Sequence, residues 1–170
     1  MALPDGVTLR PATPDDAEAL THLHLAVWDD AYTGLMPPGV LESRRSDLDR
    51  RVERWREILT DAEETTWLAV DASSSEPGGL VGFATAGPAR DNDVDVSLEL
   101  WALYVRASAY GTGVGFALFE QVVGDRAAYL WVLAGNERAI GFYERQGFRL
   151  DGTEDELDDG RHLRMVRAGV

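Results

Sequence analysis

One stretch constrains the fold of this chain more than any other, because it joins a buried strand to a helix through a glycine-rich turn. The strand is Leu98–Val105, an apolar run rich in aromatic residues. Gly111, Gly113 and Gly115 follow at alternate positions, and apolar residues at helical spacing run from 116 to 123. Free N–H groups at a helix start bind anions, and glycine lets a phosphate approach the backbone. The stretch therefore predicts a phosphate-binding loop.

Two common phosphate-binding loops fit this stretch poorly. A P-loop carries lysine after its last glycine, whereas this chain has Phe116 there and contains no lysine. A dinucleotide-binding loop reads G-x-G-x-x-G directly after a strand, whereas this turn reads G-x-G-x-G and follows residues 106–109. A dinucleotide-binding domain, which NAD would stabilise, stays an alternative, as does a turn that only packs a helix against a strand.

The length and residue usage restrict the class of protein. The 170 residues fit one domain, which we expect to span 1–170. We find no apolar run of the roughly 18 residues that cross a membrane, and no signal peptide, so we expect a cytoplasmic protein without a membrane partner. The absence of cysteine excludes disulfides and a cysteine nucleophile, and three scattered histidines predict no metal site.

The net charge of −14 bears on the partners. Such an acidic surface repels the phosphates of nucleic acid, so we expect no nucleic-acid partner. It would attract a cationic substrate such as an amine. Solubility alone would also explain the charge.

The hydrophobic pattern alternates strands with helices. Strand–helix–strand from 98 to 133 implies a parallel pair with a right-handed crossover. We expect an aromatic loop over residues 28–38 and an acidic loop over residues 151–160. The predicted strands are 7–10, 67–70, 80–85, 98–105, 128–133, 149–150 and 162–166, and the predicted helices begin at 14, 41, 116 and 137. The second of these helices is predicted to be continuous from 41 to 59.

Two motifs resemble those of the GNAT superfamily of acyl-CoA-dependent N-acetyltransferases. The turn Tyr110–Gly115 resembles motif A, Q/R-x-x-G-x-G/A, except that Tyr110 stands at the Gln/Arg position. The run from Asn136 to Phe148 reads N-x-x-A-x-x-F-Y-x-x-x-G-F and resembles motif B. The resemblance implies an α/β fold of one domain. It has a central mixed sheet of six or seven strands, helices on both faces and a splayed parallel strand pair.

The resemblance also implies acetyl-CoA as the acyl donor. Backbone amides of the turn would hold its pyrophosphate, and the main chain of Leu103 and Val105 would pair with its pantetheine arm. The implied coenzyme-binding residues are Leu103, Tyr104, Val105, Tyr110, Gly111, Thr112, Gly113, Val114, Gly115, Asn136 and Phe142. Tyrosine at position 110 puts a side-chain contact to phosphate in doubt.

Acyl transfer to an amine needs a base for the ammonium proton and an acid for the departing thiolate. Glu99, a lone carboxylate in an apolar strand, is the candidate base, because burial would raise its pKa. A structural ion pair is the competing interpretation. The resemblance assigns the acid role to Tyr143 and polarisation of the carbonyl to a backbone N–H near Leu103. We expect direct attack without a covalent enzyme intermediate.

The sequence defines the amine acceptor less narrowly than the acyl donor. Trp28 and Tyr32 lie beside Asp29 and Asp30, and these could line an amine pocket through cation–π and ionic contacts. Trp101 is the third predicted substrate-binding residue. The acceptor would be a small-molecule or peptide amine, and the resemblance leaves a homodimer open. A non-catalytic acyl-CoA-binding or sensor module of the same fold is the alternative function.

Overall fold

The computed structural model describes residues 2–61 and 63–169, which contain seven strands and five α-helices. The strands are β1 (Val7–Pro11), β2 (Thr65–Asp71), β3 (Leu80–Pro88), β4 (Leu98–Val105), β5 (Ala128–Leu133), β6 (Arg149–Leu157) and β7 (Gly160–Arg167). The helices are α1 (Ala17–Tyr32), α2 (Pro38–Ser43), α3 (Leu48–Thr60), α4 (Val114–Val122) and α5 (Glu137–Arg145). None of these helices is long and apolar enough to cross a membrane.

All seven strands form one mixed sheet in the order β1-β2-β3-β4-β5-β7-β6. The β4–β5 pair is parallel, as the crossover through α4 predicted, and the other pairs are antiparallel. Leu68 packs with α1 and α3 on one face, and its neighbour Ala69 packs with α4 and α5 on the other. The α/β fold with helices on both faces is therefore confirmed.

The parallel pair is joined only at its start. The register pairs Glu99 with Tyr129 and Leu100 with Leu130, and it ends there. At the same point Trp101 is an extra residue in β4, because Thr85 of β3 pairs with Ala102 and the next β3 residue pairs with Leu100. Such a bulge bends a strand and increases its twist. Beyond Leu100, β4 therefore turns away from β5 and a gap opens between them.

The predicted helix over residues 41–59 is wrong, because it divides into α2 and α3. The hydroxyl of Ser43 donates to the carbonyl of Val40, and that of Ser46 donates to the carbonyl of Ser43. Serine side chains that bond to nearby carbonyls favour turns over continuous helix. The interruption covers residues 44–47, so it begins directly after Ser43 and contains Ser46.

The two predicted loops also differ from the structure. Helix α1 runs on to Tyr32, so residues 28–32 are helical, and Gly34 with its φ of 86° follows the end. Strand β6 extends to Leu157 through the predicted acidic loop. It is an edge strand that is mostly exposed on both faces, so it lacks the apolar alternation that identifies a strand, and its charges protect the edge from pairing with other chains.

The segment between β3 and β4 is anchored by a buried arginine. Arg164 of β7 is 3% exposed and donates to Asp91 at 3.0 Å, Asp93 at 2.6 Å and Asp151 at 2.7 Å. The hydrogen bond with Asp93 is the largest cause that raises the pKa of Arg164. The polar residues 90–95 of this segment are therefore fixed over the β5–β7–β6 side of the sheet.

His24 lies within an aromatic cluster between α1, α3 and the sheet. Its ring centroid is 5.3 Å from that of Phe83, 5.6 Å from Trp55 and 5.8 Å from both Trp28 and Tyr104. Burial, together with the positive charges of Arg44 and Arg51, lowers its pKa to about 3. The side chain is therefore neutral at neutral pH, and it packs as an aromatic ring.

The neutral state of His24 predicts a loss of stability in mild acid. Below about pH 6.5 the imidazole of His24 binds a proton in the unfolded chain but not in the folded chain, so the free energy of unfolding falls as the pH falls. Between pH 7 and pH 5 we expect a loss of about 1–2 kcal/mol from this group. Urea unfolding at both pH values measures it. His24→Leu should remove that part of the loss, whereas His22→Leu, at an exposed position of the same helix, should retain it. An unchanged loss in His24→Leu would contradict the assignment.

Candidate active site

A cavity of about 330 Å³ occupies the gap between β4 and β5. One wall is β4 from Leu100 to Val105, and the other is β5 and α5. The glycine turn and the start of α4 close one end. The cavity therefore runs between the two parallel strands toward the predicted phosphate-binding loop.

The glycine turn presents a row of free backbone donors. Gly111 has φ 74° and Gly113 has φ 91°, a left-handed conformation that favours glycine. Gly113 is the N-cap of α4. Within the described part of the chain, the amides of residues 111–116 donate no hydrogen bond, and a Cβ at Gly111 would meet no atom within 4 Å. Free amides, a helix start and open space together fit a bound pyrophosphate.

The cavity wall formed by β4 suits an extended ligand. Leu103, Tyr104 and Val105 pair with β3 on one side, but β5 has already separated on the other. Their main chain is therefore available along the cavity edge. An extended chain that carries amide groups can pair with such an edge, and the pantetheine arm of coenzyme A has this chemistry.

Twelve of the sixteen predicted site residues line this one cavity. Glu99, Thr112, Val114 and Trp28 do not. Thr112 donates its hydroxyl to the carbonyl of Ala109, and Val114 is fully buried in the core at the start of α4. Those that line the cavity are Tyr32, Trp101, Leu103, Tyr104, Val105, Tyr110, Gly111, Gly113, Gly115, Asn136, Phe142 and Tyr143. Asn136 also caps α5 by accepting from the amide of Ala139.

Glu99 is buried beside the cavity and not in its lining. Its side chain is 2% exposed. The guanidinium of Arg90 donates to the two carboxylate oxygens at 2.6 and 2.9 Å, and the hydroxyl of Tyr129 donates at 2.8 Å. Both carboxylate oxygens thus have partners where the strands are still paired.

Tyr143 presents a buried phenol at the cavity. It lies on α5, and its ring packs edge-on against Phe142 at 5.4 Å and Phe148 at 5.9 Å. Burial raises the pKa of this phenol well above its usual value. The hydroxyl therefore keeps its proton at neutral pH and can act as a hydrogen-bond donor.

Aromatic side chains line the end of the cavity near α1. The hydroxyls of Tyr32 and Tyr104 lie 2.8 Å apart. Trp101 lies on Gly87, where a Cβ would come within 2.9 Å of the indole, and the guanidinium of Arg90 is 4.6 Å from its ring. Glycine at position 87 is therefore what lets the indole reach the cavity.

The rest of the predicted acceptor pocket lies behind this aromatic end. Trp28 packs against Tyr32 at 4.9 Å and stacks on Arg44. Asp29 pairs with Arg45. Asp30 accepts from the amide of Ala107 and lies 2.9 Å from Arg106. Both carboxylates are thus engaged outside the described cavity lining.

Two arginines that line the cavity were not predicted from the sequence. Arg138 and Arg145 both lie on α5 and face the cavity together with Phe142. Residues three, four or seven positions apart share one face of a helix. The spacing of the two arginines from Phe142, a predicted coenzyme-binding residue, could therefore have placed them at the cavity. Arg90 was missed as well, because its contact with Glu99 is visible only once the loop is folded.

Comparisons with known proteins agree with this geometry. The family model described as the Acetyltransferase (GNAT) family matches residues 25–148. The chain is 27% identical over 154 residues to a probable N-acetyltransferase of Mycobacterium tuberculosis, and this match covers 88% of this chain and 83% of the relative. It is 35% identical over 155 residues to the aminoglycoside N(6')-acetyltransferase type 1 of Stenotrophomonas maltophilia, and this match covers 87% of this chain and 86% of the relative.

The fold matches that of a solved acetyltransferase. The PaiA N-acetyltransferase of Thermoplasma acidophilum, determined in complex with coenzyme A, superimposes with a TM-score of 0.73 at 19% identity. The match covers 95% of this chain and 98% of the other. The family model and the relatives lead to one conclusion. The chain belongs to the GNAT family of acyl-CoA-dependent acetyltransferases.

Proposed function

We propose that this protein moves an acetyl group from acetyl-CoA to a primary amine by direct attack. The observation that carries the proposal is that one cavity extends from the free amides of the glycine turn to Tyr143 and the aromatic end. Bound acetyl-CoA supplies the acetyl group as a reactive thioester. The turn holds the anionic part, the edge of β4 aligns the arm, and the aromatic end receives the amine.

Tyr143 is the proposed general acid. Its phenol is buried and protonated at neutral pH, and its donor faces the cavity. Donation of this proton to the departing thiolate would stabilise the leaving group as a neutral thiol.

Glu99 is the proposed general base. Because its carboxylate is not part of the cavity lining, the proton of the amine must travel from the cavity to reach it. The partners of Glu99 are Arg90 and Tyr129, and the guanidinium of Arg90 also lies over Trp101. Rotation of Arg90, whose side chain is 61% exposed, would open the carboxylate to the cavity side. The same contacts support the alternative of a non-catalytic acyl-CoA sensor, because they occupy Glu99 in the resting structure.

The proposed acceptor is an amine with an aromatic or apolar body. Tyr32, Trp101 and Trp131 line the cavity, and the described lining contains no carboxylate. Aromatic faces attract an ammonium through cation–π contacts without a carboxylate. A polyamine or an aminoglycoside, the substrate class in the name of the Stenotrophomonas relative, would place several charges where the lining offers no acid.

The assignment of residues 1–170 to one acetyltransferase domain is part of this proposal. It is supported by the single sheet, in which β1 is one edge strand and β6 the other. The cytoplasmic location and the homodimer stay predictions.

Acetyl-CoA should stabilise the protein, and NAD should not. A ligand at a hundred times its dissociation constant raises the free energy of unfolding by roughly 2.7 kcal/mol. Thermal unfolding with acetyl-CoA, with NAD and without ligand measures this. No shift with millimolar acetyl-CoA would overturn the coenzyme assignment.

Turnover then separates the enzyme from the sensor. A panel of aromatic monoamines, aliphatic monoamines, polyamines and aminoglycosides, followed by thiol release, should show the highest kcat/KM for aromatic monoamines. Stabilisation by acetyl-CoA with no turnover across the panel would favour the sensor. Preference for polyamines would contradict the proposed acceptor.

Tyr143→Phe should slow the reaction without weakening coenzyme binding. Loss of a general acid lowers kcat by roughly 10²–10⁴-fold, whereas the ring and its packing are kept. Steady-state kinetics give kcat, and calorimetry gives the Kd for acetyl-CoA. A kcat near that of the wild type would exclude the acid role, and a large rise in Kd with unchanged kcat would assign the phenol to binding.

Glu99→Gln and Arg90→Gln together distinguish a base from a structural ion pair. If Glu99 is the base, Glu99→Gln lowers kcat by roughly 10²–10⁴-fold. Arg90→Gln leaves the carboxylate in place, so most of kcat should be retained. If both variants lose stability to a similar extent and keep a kcat near that of the wild type, Glu99 is structural and the proposed base is wrong.

A further inference from the structure

Positive charge in the cavity is concentrated on one helix. In a protein of net charge −14, the charged residues of the described lining are Arg138 and Arg145 of α5. Among the described residues, neither forms an ion pair with a carboxylate. Both guanidiniums are therefore available to an anionic ligand.

Arg138 is held in place by an aromatic ring. Its guanidinium carbon lies 3.7 Å from the centroid of the Tyr110 ring. Stacking of this kind uses the flat face of the guanidinium and leaves the N–H donors at its edge free. Tyr110 directly precedes Gly111, and Arg138, Tyr110 and the glycines of the turn line the same cavity. The stack therefore holds the guanidinium at the end of the cavity that contains the turn.

We propose that Arg138, positioned by Tyr110, supplies the side-chain positive charge that holds the coenzyme pyrophosphate. In the resembled motif, Gln or Arg occupies the loop position that is Tyr110 here. This chain thus carries the cation on α5 and uses position 110 to orient it. The inference rests on the proposed function, since it requires that the cavity binds acetyl-CoA.

The charges of ligand and protein explain why such a cation is needed. Coenzyme A carries several phosphate charges, and an acidic protein repels them. Backbone amides bind phosphate through partial charges only. A guanidinium adds charge-assisted hydrogen bonds in a planar geometry that matches two phosphate oxygens.

Arg138→Gln tests the proposal by binding alone. Calorimetry compares coenzyme A with pantetheine, which has the arm and the thiol but no phosphate. We expect the Kd for coenzyme A to rise roughly tenfold or more, and the Kd for pantetheine to stay within about twofold. Arg50→Gln, at an exposed position of α3 outside the cavity lining, removes the same charge and should leave both constants unchanged.

Two further variants address the stack. Tyr110→Leu removes the ring and should weaken coenzyme A binding by less than Arg138→Gln does, again without an effect on pantetheine. Tyr110→Arg combined with Arg138→Gln returns a guanidinium to the same place and should restore most of the affinity for coenzyme A.

The outcomes separate this inference from the function on which it rests. If the wild type binds coenzyme A and Arg138→Gln binds it equally well, Arg138 has no part in the site. If Arg138→Gln weakens coenzyme A and pantetheine alike, Arg138 supports the cavity wall and not the phosphates, and the proposal is wrong. If the wild type binds neither ligand, the proposed function itself fails.

Discussion

The separation of β4 from β5 is the constraint on which the functional part of this structure depends. Parallel strands in a sheet normally continue their hydrogen bonds along their shared length, yet here the register ends at Leu100. The extra residue Trp101 bends β4 away. Unpaired backbone groups are costly when they are buried, so the exposed edge of β4 is stabilised when an extended ligand pairs with it. The same bulge thus creates the cavity and determines the shape of what fills it.

The closed end of this gap is fixed by polar contacts. Glu99 and Tyr129 are partners in the β4–β5 register and are also joined by a side-chain hydrogen bond of 2.8 Å. Arg90 adds an ion pair from the segment that Arg164 anchors. A buried carboxylate without such donors would be strongly unfavourable. The network therefore secures the point from which the strands diverge, and any catalytic use of Glu99 has to operate within that structural role.

Much of the fold followed from the sequence because its signals are local. The apolar runs, the alternate glycines and the helix that begins at residue 137 each depend on a few adjacent residues, and the structure confirms them. The part of strand β6 after Leu150 was predicted as a loop, because an exposed edge strand shows no apolar alternation. The division between α2 and α3 depended on serine side chains that bond to carbonyls three residues away.

The site was predictable to the extent that its residues lie in those local motifs. The partners of Glu99 are 9 and 30 residues away along the chain, so its engagement could not be inferred before the fold was known. The cation–π pair of Tyr110 with Arg138 joins two motifs that were considered separately.

The distribution of charge suits two substrates of opposite sign. At physiological ionic strength, charges are screened beyond about 8 Å, so the acidic surface as a whole does not prevent a nearby guanidinium from attracting a phosphate. The free amides of the turn and the arginines of α5 are local to the coenzyme end. The overall charge of −14 acts close to the protein surface, within this screening distance, and favours a cationic amine there. At the aromatic end the ammonium would meet π faces instead of carboxylates. It could therefore lose its proton without leaving a strong ion pair, and attack requires that loss.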